Sequence, residues 1–133
     1  MLVVDASAVV RAIGETAAAG ELRERLDDDG ELAAPHLIDL EVLQALRRFA
    51  RSGDLSPDRA QIAIGDFEDL SLTRYPQVAL LDRIWALRDR LSAYDAAYVA
   101  LAEAIGVPLV TCDAKLASAA AGIAAVELFS PVD

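Results

Sequence analysis

Four acidic residues occupy positions where an acid needs a reason. Asp5 closes the short β-prone run Leu2-Val3-Val4, and Asp113 closes Leu109-Val110-Thr111-Cys112. Asp95 lies in Tyr94 to Ile105, a stretch with only Asp95 and Glu103 as charges, apolar on nearly every face and so expected to be a buried helix. Glu41 belongs to a helical segment whose apolar face is Ile38, Val42, Ala45, Leu46 and Phe49; at about 100° per residue it falls at the edge of that face. Each has a plain structural alternative. Asp113 can cap a helix opening at Ala114, Asp5 can serve a turn, Ser92 and Asp95 have capping-box spacing, and Glu41 can be a solvated edge residue.

If the four converge, each pair at ~5 Å repels by about 3 kcal/mol at an effective dielectric near 20. Six such pairs cannot all stay ionised without compensation. No arginine accompanies the acids at a fixed short spacing, and the only lysine, Lys115, comes two residues after Asp113. Hard divalent cations are the natural neutraliser, because ligation by oxygen alone suits Mg²⁺ or Mn²⁺ rather than zinc.

The overall charge is consistent with that reading. Twelve Lys and Arg against twenty-two Asp and Glu give a net charge of −10, the wrong sign for a bare nucleic-acid-binding surface. Phosphate can still reach an acidic protein through bound cations.

These acids must be positioned by an α/β frame. The short apolar runs Leu2–Val4, Leu32–Ala34, Leu72–Tyr75, Leu109–Cys112 and Val126–Leu128 predict strands. Between them fall helices over Ala8–Ile13 (stopped by Gly14), Ala17–Leu26, Leu37–Arg51 (ended by Gly53), from Ser56-Pro57 towards Leu70, over Val78–Arg88 and Tyr94–Ile105, and a short one after Asp113. Asp27-Asp28-Asp29-Gly30 is expected to be a solvated acidic turn. Strands alternating with helices point to a three-layer α/β/α sandwich around a parallel sheet of four or five strands. In such sheets the reactive crevice lies beyond the carboxyl ends of the strands, where Asp5 and Asp113 fall.

The chain has 133 residues, 55% of them hydrophobic, which fits one domain over residues 1–133. A single cysteine, Cys112, excludes an intrachain disulfide and suits a reducing, cytoplasmic setting. The apolar stretches are too short for a membrane span, and Asp5 and Arg11 interrupt any signal-peptide pattern at the start.

The string Met1-Leu2-Val3-Val4-Asp5-Ala6-Ser7-Ala8 resembles the opening of PIN-domain nucleases, as does Ser92-Ala93-Tyr94-Asp95-Ala96-Ala97-Tyr98-Val99-Ala100-Leu101-Ala102. Leu109-Val110-Thr111-Cys112-Asp113 is similar to their late T-x-D element. Length and the Tyr-Asp-Ala-Ala-Tyr stretch most resemble the VapC ribonuclease toxins, with the likeness running from Val3 to Phe129. The resemblance implies that Asp5, Glu41, Asp95 and Asp113 hold Mg²⁺ or Mn²⁺ and are the catalytic acids, with Glu41 preferred to nearby Asp39. It implies that Ser7 and Thr111 orient a carboxylate or a water on the metal; the plain alternatives are a capping serine and an ordinary strand threonine. It further implies in-line hydrolysis of an RNA phosphodiester to 5′-phosphate and 3′-hydroxyl products. A homodimer and a small antitoxin that occupies the active-site groove are implied partners. The alternatives are a stand-alone PIN-domain RNA-processing nuclease and a non-catalytic protein-binding domain.

Two other acidic α/β classes fit less well. A phosphate receiver needs its acceptor aspartate after a middle strand, whereas Asp54 follows the helix-ending Gly53; an aspartate phosphatase needs a second aspartate where Ser7 stands. Four further features have structural explanations: His36 as a turn histidine, Arg47, Arg48 and Arg51 as a basic helix end, Trp85 and Phe67 as packing against the core or a partner, and Cys112 as a small buried hydrophobe.

Overall fold

The computed structural model describes residues 1–14 and 19–129. Five apolar runs form strands β1 (Leu2–Val4), β2 (Leu32–Pro35), β3 (Leu72–Tyr75), β4 (Leu109–Thr111) and β5 (Val126–Leu128). All neighbouring pairs are parallel, in the order β3-β2-β1-β4-β5. The strand β1 lies in the middle, and Leu2, Val3 and Val4 are each 0% exposed. A strand covered on both faces needs apolar residues at every position, so it reads as a continuous run without alternation. The edge strand β3 shows the opposite, with Thr73 and Arg74 exposed.

The described residues include seven α-helices: α1 (Ala6–Ile13), α2 (Gly20–Asp29), α3 (Ile38–Ser52), α4 (Pro57–Glu68), α5 (Leu81–Ala86), α6 (Ala93–Ile105) and α7 (Ala114–Ala120). Helices α1, α3 and α4 pack on one another, α5 packs on α6, and α6 lies against β1, β2 and β4, giving the three expected layers with five strands between. Helix α6 buries every residue from Ala96 to Ala102, which explains its nearly uniform apolar composition.

Three local expectations change. The acidic run Asp27-Asp28-Asp29 is the last turn of α2, ended by Gly30 in the left-handed region at φ 74°; the expected start of this helix at Ala17 lies outside the described residues. The expected helix over Val78–Arg88 splits into a 3₁₀ turn, Gln77–Leu80, and the short α5. Neither piece has a fully buried residue, and only Leu80 and Ile84 pack part-buried against the core, a small apolar face to hold a continuous α-helix. Strand β4 ends at Thr111, one residue earlier than the apolar run suggests, because Cys112 N–H turns to the hydroxyl of Ser7. Among the described residues no helix is long and apolar enough to cross a membrane.

Candidate active site

The strand order explains where the site lies. From β1 the chain moves outward to β2 and β3, then returns to place β4 on the other side of β1. The direction of winding reverses between β1 and β4, and a crevice opens beyond their carboxyl ends. Asp5 follows β1 and Asp113 follows β4 within two residues of the strand end, so both acids project from this reversal.

Asp5 is 5% exposed and its two oxygens are pinned separately. Oδ1 accepts from Ser7 Oγ at 2.7 Å and from the Ala8 N–H at 2.9 Å, while Oδ2 accepts from Thr111 Oγ1 at 2.5 Å. Each hydroxyl has one hydrogen, and both are used on Asp5, so the 3.3 Å approach between Ser7 and Thr111 adds no third bond. The hydroxyl oxygens in turn accept backbone N–H groups at 3.0 Å, Ser7 from Cys112 and Thr111 from Asp113. Two hydroxyls thus bolt the end of β1 to the turn after β4. Burial nevertheless pushes the Asp5 carboxyl up from its ordinary value, outweighing its three donors, and the negative charge of Asp113 adds to the rise.

The capping alternatives turn out to be real, and they coexist with placement in the cleft. Asp5 caps α1 through the Ala8 N–H, and Asp113 caps α7 by accepting from Lys115 and Leu116 N–H at 2.9 and 3.2 Å. Both Asp113 bonds fall on Oδ1; among the described residues Oδ2 has no protein partner. Ser92 caps α6 by accepting from the Asp95 N–H at 3.1 Å. The reciprocal arm of a capping box, from the Ser92 N–H to the Asp95 carboxylate, is not made among the described residues. Half-buried Asp95 is pushed up by burial first and then by Asp113.

Glu41 lies in the first turn of α3, and its Oε1 accepts from the phenol of Tyr98 at 2.7 Å. Burial raises its carboxyl, and Asp95 and Asp5 raise it further. Tyr98 is 1% exposed, and burial beside three carboxylates holds it well above a free phenol, so it is a neutral donor. Its position three residues after Asp95 puts it on the same helical face, the one signal in the sequence for its role, although the spacing alone could not show that Glu41 faces it. Asp39 is accounted for elsewhere: Arg74 grips it through Nε at 2.9 Å and Nη2 at 2.7 Å.

Asp5, Glu41, Asp95 and Asp113 all line one cleft of about 960 Å³, together with Ser7, Tyr98 and, farther along, the arginines Arg11 and Arg48. Thr111 stands just beneath, fully buried. Among the described residues none of the four acids makes an ion pair, and their mutual repulsion links Asp5 to Asp113, Asp113 to Asp95, Asp95 to Glu41 and Glu41 to Asp5. Among the described residues no three His, Cys, Asp or Glu side chains stand close enough together to hold a metal ion as they are placed. An open, all-carboxylate donor set of this kind suits Mg²⁺, which keeps several waters and takes only one or two protein carboxylates.

The remaining expectations resolve as follows. His36 is exposed beyond the end of β2, where its N–H donates to Tyr75. Phe67 is buried, but Trp85 is 68% exposed with the Arg88 guanidinium 4.6 Å from its ring. Cys112 is half-buried at the cleft rather than enclosed, and burial pushes its thiol up to about 11, which keeps it protonated.

Fold and site together define a PIN domain: the family model of that description matches residues 2–122, and the chain belongs to that family. Ribonuclease VapC9 of Mycobacterium tuberculosis is 44% identical over 87% of this chain and 88% of its own length, and ribonuclease VapC1 of the same organism is 42% identical over 88% and 89%. A chain in the crystal structure of VapBC2 from Rickettsia felis bound to a DNA fragment from their promoter superposes with a TM-score of 0.71 over 97% of this chain and 98% of that one; at 14% identity it shows the shared fold. Within the PIN domains the chain is a member of the VapC ribonuclease family.

Proposed function

We propose that this chain, as one domain, is the endoribonuclease toxin of a toxin–antitoxin pair, hydrolysing RNA phosphodiester bonds in the cytoplasm with Mg²⁺ or Mn²⁺. The observation that carries this is four carboxylates from four separate elements, lining one cleft at the winding reversal with no ion pair to any of them among the described residues. The ribonuclease names of its relatives support RNA as the substrate.

Asp5, Glu41, Asp95 and Asp113 would hold the ions. When bound, they supply counter-charge for the phosphoryl oxygens and the leaving 3′-oxygen and lower the pKa of the attacking water. The residues of the chain do the positioning. Ser7, Thr111 and the Ala8 N–H fix both oxygens of Asp5, so its lone pairs point the same way before and after substrate arrives. Asp113 uses Oδ1 on the α7 N-terminus, and among the described residues its Oδ2 meets no protein donor. With the ions in place, one of the four carboxylates would accept the proton of the water. Arg11 and Arg48 offer the phosphate groups on either side of the cut a cationic contact in an otherwise acidic protein.

A homodimer and an antitoxin in the cleft complete the proposal. Exposed apolar side chains support protein partners: Leu40 and Leu43 on α3, and Val78, Leu81 and Trp85 around α5. The test is cleavage of RNA by purified Asp5→Asn and Asp95→Asn variants. Partners of metal ligands are worth about 10–100-fold, so losing a ligand should cost more than ~100-fold in activity while the circular dichroism is unchanged. Full activity in either variant would reject the site. Inducing the chain alone should arrest growth, and the neighbouring small gene should relieve it; a harmless active nuclease would indicate an RNA-processing role.

A further inference from the structure

Glu41 comes to the cleft with one oxygen already engaged. The phenol of Tyr98, 57 residues away in sequence, donates to Oε1 at 2.7 Å. The ring of Tyr98 is locked within α6 at 1% exposure, so the phenol cannot follow the carboxylate if it swings. A phenylalanine would fill the same space; the hydroxyl is the only polar atom the tyrosine adds, and it is spent on Glu41.

That engagement matters for which cation the cleft accepts. Small hard cations such as Mg²⁺ demand a near-octahedral set and take a carboxylate through one oxygen. Calcium is larger, gathers six to eight oxygens and readily takes a carboxylate through both. A carboxylate with one oxygen held by a rigid donor is ready for the first mode and hindered in the second. The geometry points to Tyr98 as a positioning residue that restricts Glu41 to ligation through one oxygen and so biases the cleft toward small divalent cations over calcium. This rests on the metal-site reading of the cleft given above.

The experiment is calorimetric titration of Mn²⁺ and of Ca²⁺ into the purified full chain, comparing wild type, Tyr98→Phe, Glu41→Gln and the double variant, with thermal melts alongside. Wild type should prefer Mn²⁺. Tyr98→Phe should narrow the Mn²⁺ to Ca²⁺ affinity ratio by about 10-fold, the scale of removing a partner of a metal ligand. In the Glu41→Gln background the same substitution should leave the ratio unchanged. Glu41→Asp, one methylene shorter, withdraws the carboxylate from the phenol without touching the core and should narrow the ratio in the same direction. A phenol that only satisfies its own buried hydroxyl would lower the melting temperature and leave the ratio alone. An unchanged ratio in both Tyr98→Phe and Glu41→Asp, or a narrowing that persists without Glu41, overturns the proposal while the metal site stands. A wild-type chain that binds neither ion overturns the metal site as well.

Discussion

Glu41 and Glu103 are the same residue on neighbouring elements, and the protein treats them oppositely. Glu103, at the outer surface of α6, meets the two-pronged guanidinium of Arg83 at 2.7 and 3.0 Å, which pulls its carboxyl below the ordinary value. Glu41 meets a phenol and is pushed above it. The pattern extends to both sets. Outside the cleft, Asp39 has Arg74 and Glu127 has Arg25. Inside it, Asp5 and Asp113 are held by hydroxyls and backbone N–H groups. Guanidinium donors orient a carboxylate and cancel its charge; neutral donors orient it and leave the charge intact. Among the described residues the carboxylates of Asp5, Glu41 and Asp113 meet only donors of the second kind, which keeps these three in place with their charge uncancelled.

That contrast can be broken at several points. Thr111→Val removes the donor to Asp5 Oδ2 and the acceptor of the Asp113 N–H together. Ribonuclease activity should fall about 10–100-fold, as for other partners of metal ligands, with the fold retained by circular dichroism. Next in size is the effect on stability. Asp5, Glu41 and Asp95 all bind their protons more tightly in the folded chain than at their ordinary values of 3.8, 4.5 and 3.8. A raised carboxylate stabilises only while protonated, so the melting temperature of chelator-treated protein should fall as pH rises from about 4 through the shifted values. Neutralising Asp95 as Asn should raise that melting temperature at pH 7. Mn²⁺ at 100 times its Kd should stabilise wild type by about 2.7 kcal/mol and the variant by less, as differential scanning calorimetry will show.

A smaller effect separates the two roles of Asp113. Asparagine keeps the oxygen that caps α7, so Asp113→Asn should leave the melt nearly unchanged while cleavage is lost; Asp113→Ala should cost about 1 kcal/mol of stability besides. A marked destabilisation in the Asn variant would mean that the charge serves the helix rather than the cleft. Smallest of all, Arg83→Gln should leave both cleavage and the melting temperature at wild-type values, because an exposed ion pair is screened by water.

Much of this was legible in the sequence because burial imposes a pattern that composition cannot hide. The strand β1 is apolar at every position since both its faces are covered, and α6 carries almost no charge for the same reason. Against such backgrounds Asp5 and Asp95 stand out. The break in the segment from Gln77 to Ala86 could not be read because only Leu80 and Ile84 in it pack, part-buried, against the core, which leaves a weak helical pattern. Apart from the family resemblance, which prefers Glu41, nothing local in the sequence separates Glu41 from Asp39. Helical phase says little two residues from a helix start, and the deciding contact of Asp39 is with Arg74, 35 residues away. Tyr98 was likewise visible as a neighbour of Asp95 but not as the holder of Glu41, because no local spacing relates α3 to α6.

The bolt between β1 and β4 joins residues 106 positions apart. On the ribosome, Asp5 is made 106 residues before Thr111, and β1 lacks a neighbour on one side until β4 arrives. Pairings between such distant segments form slowly, since the intervening chain must first be gathered in. A nascent or truncated product that stops before β4 carries Asp5, Glu41 and Asp95 but neither the threonine that aims Asp5 nor the fourth acid. The four-acid cleft is therefore complete only once the chain has been threaded through its own sheet.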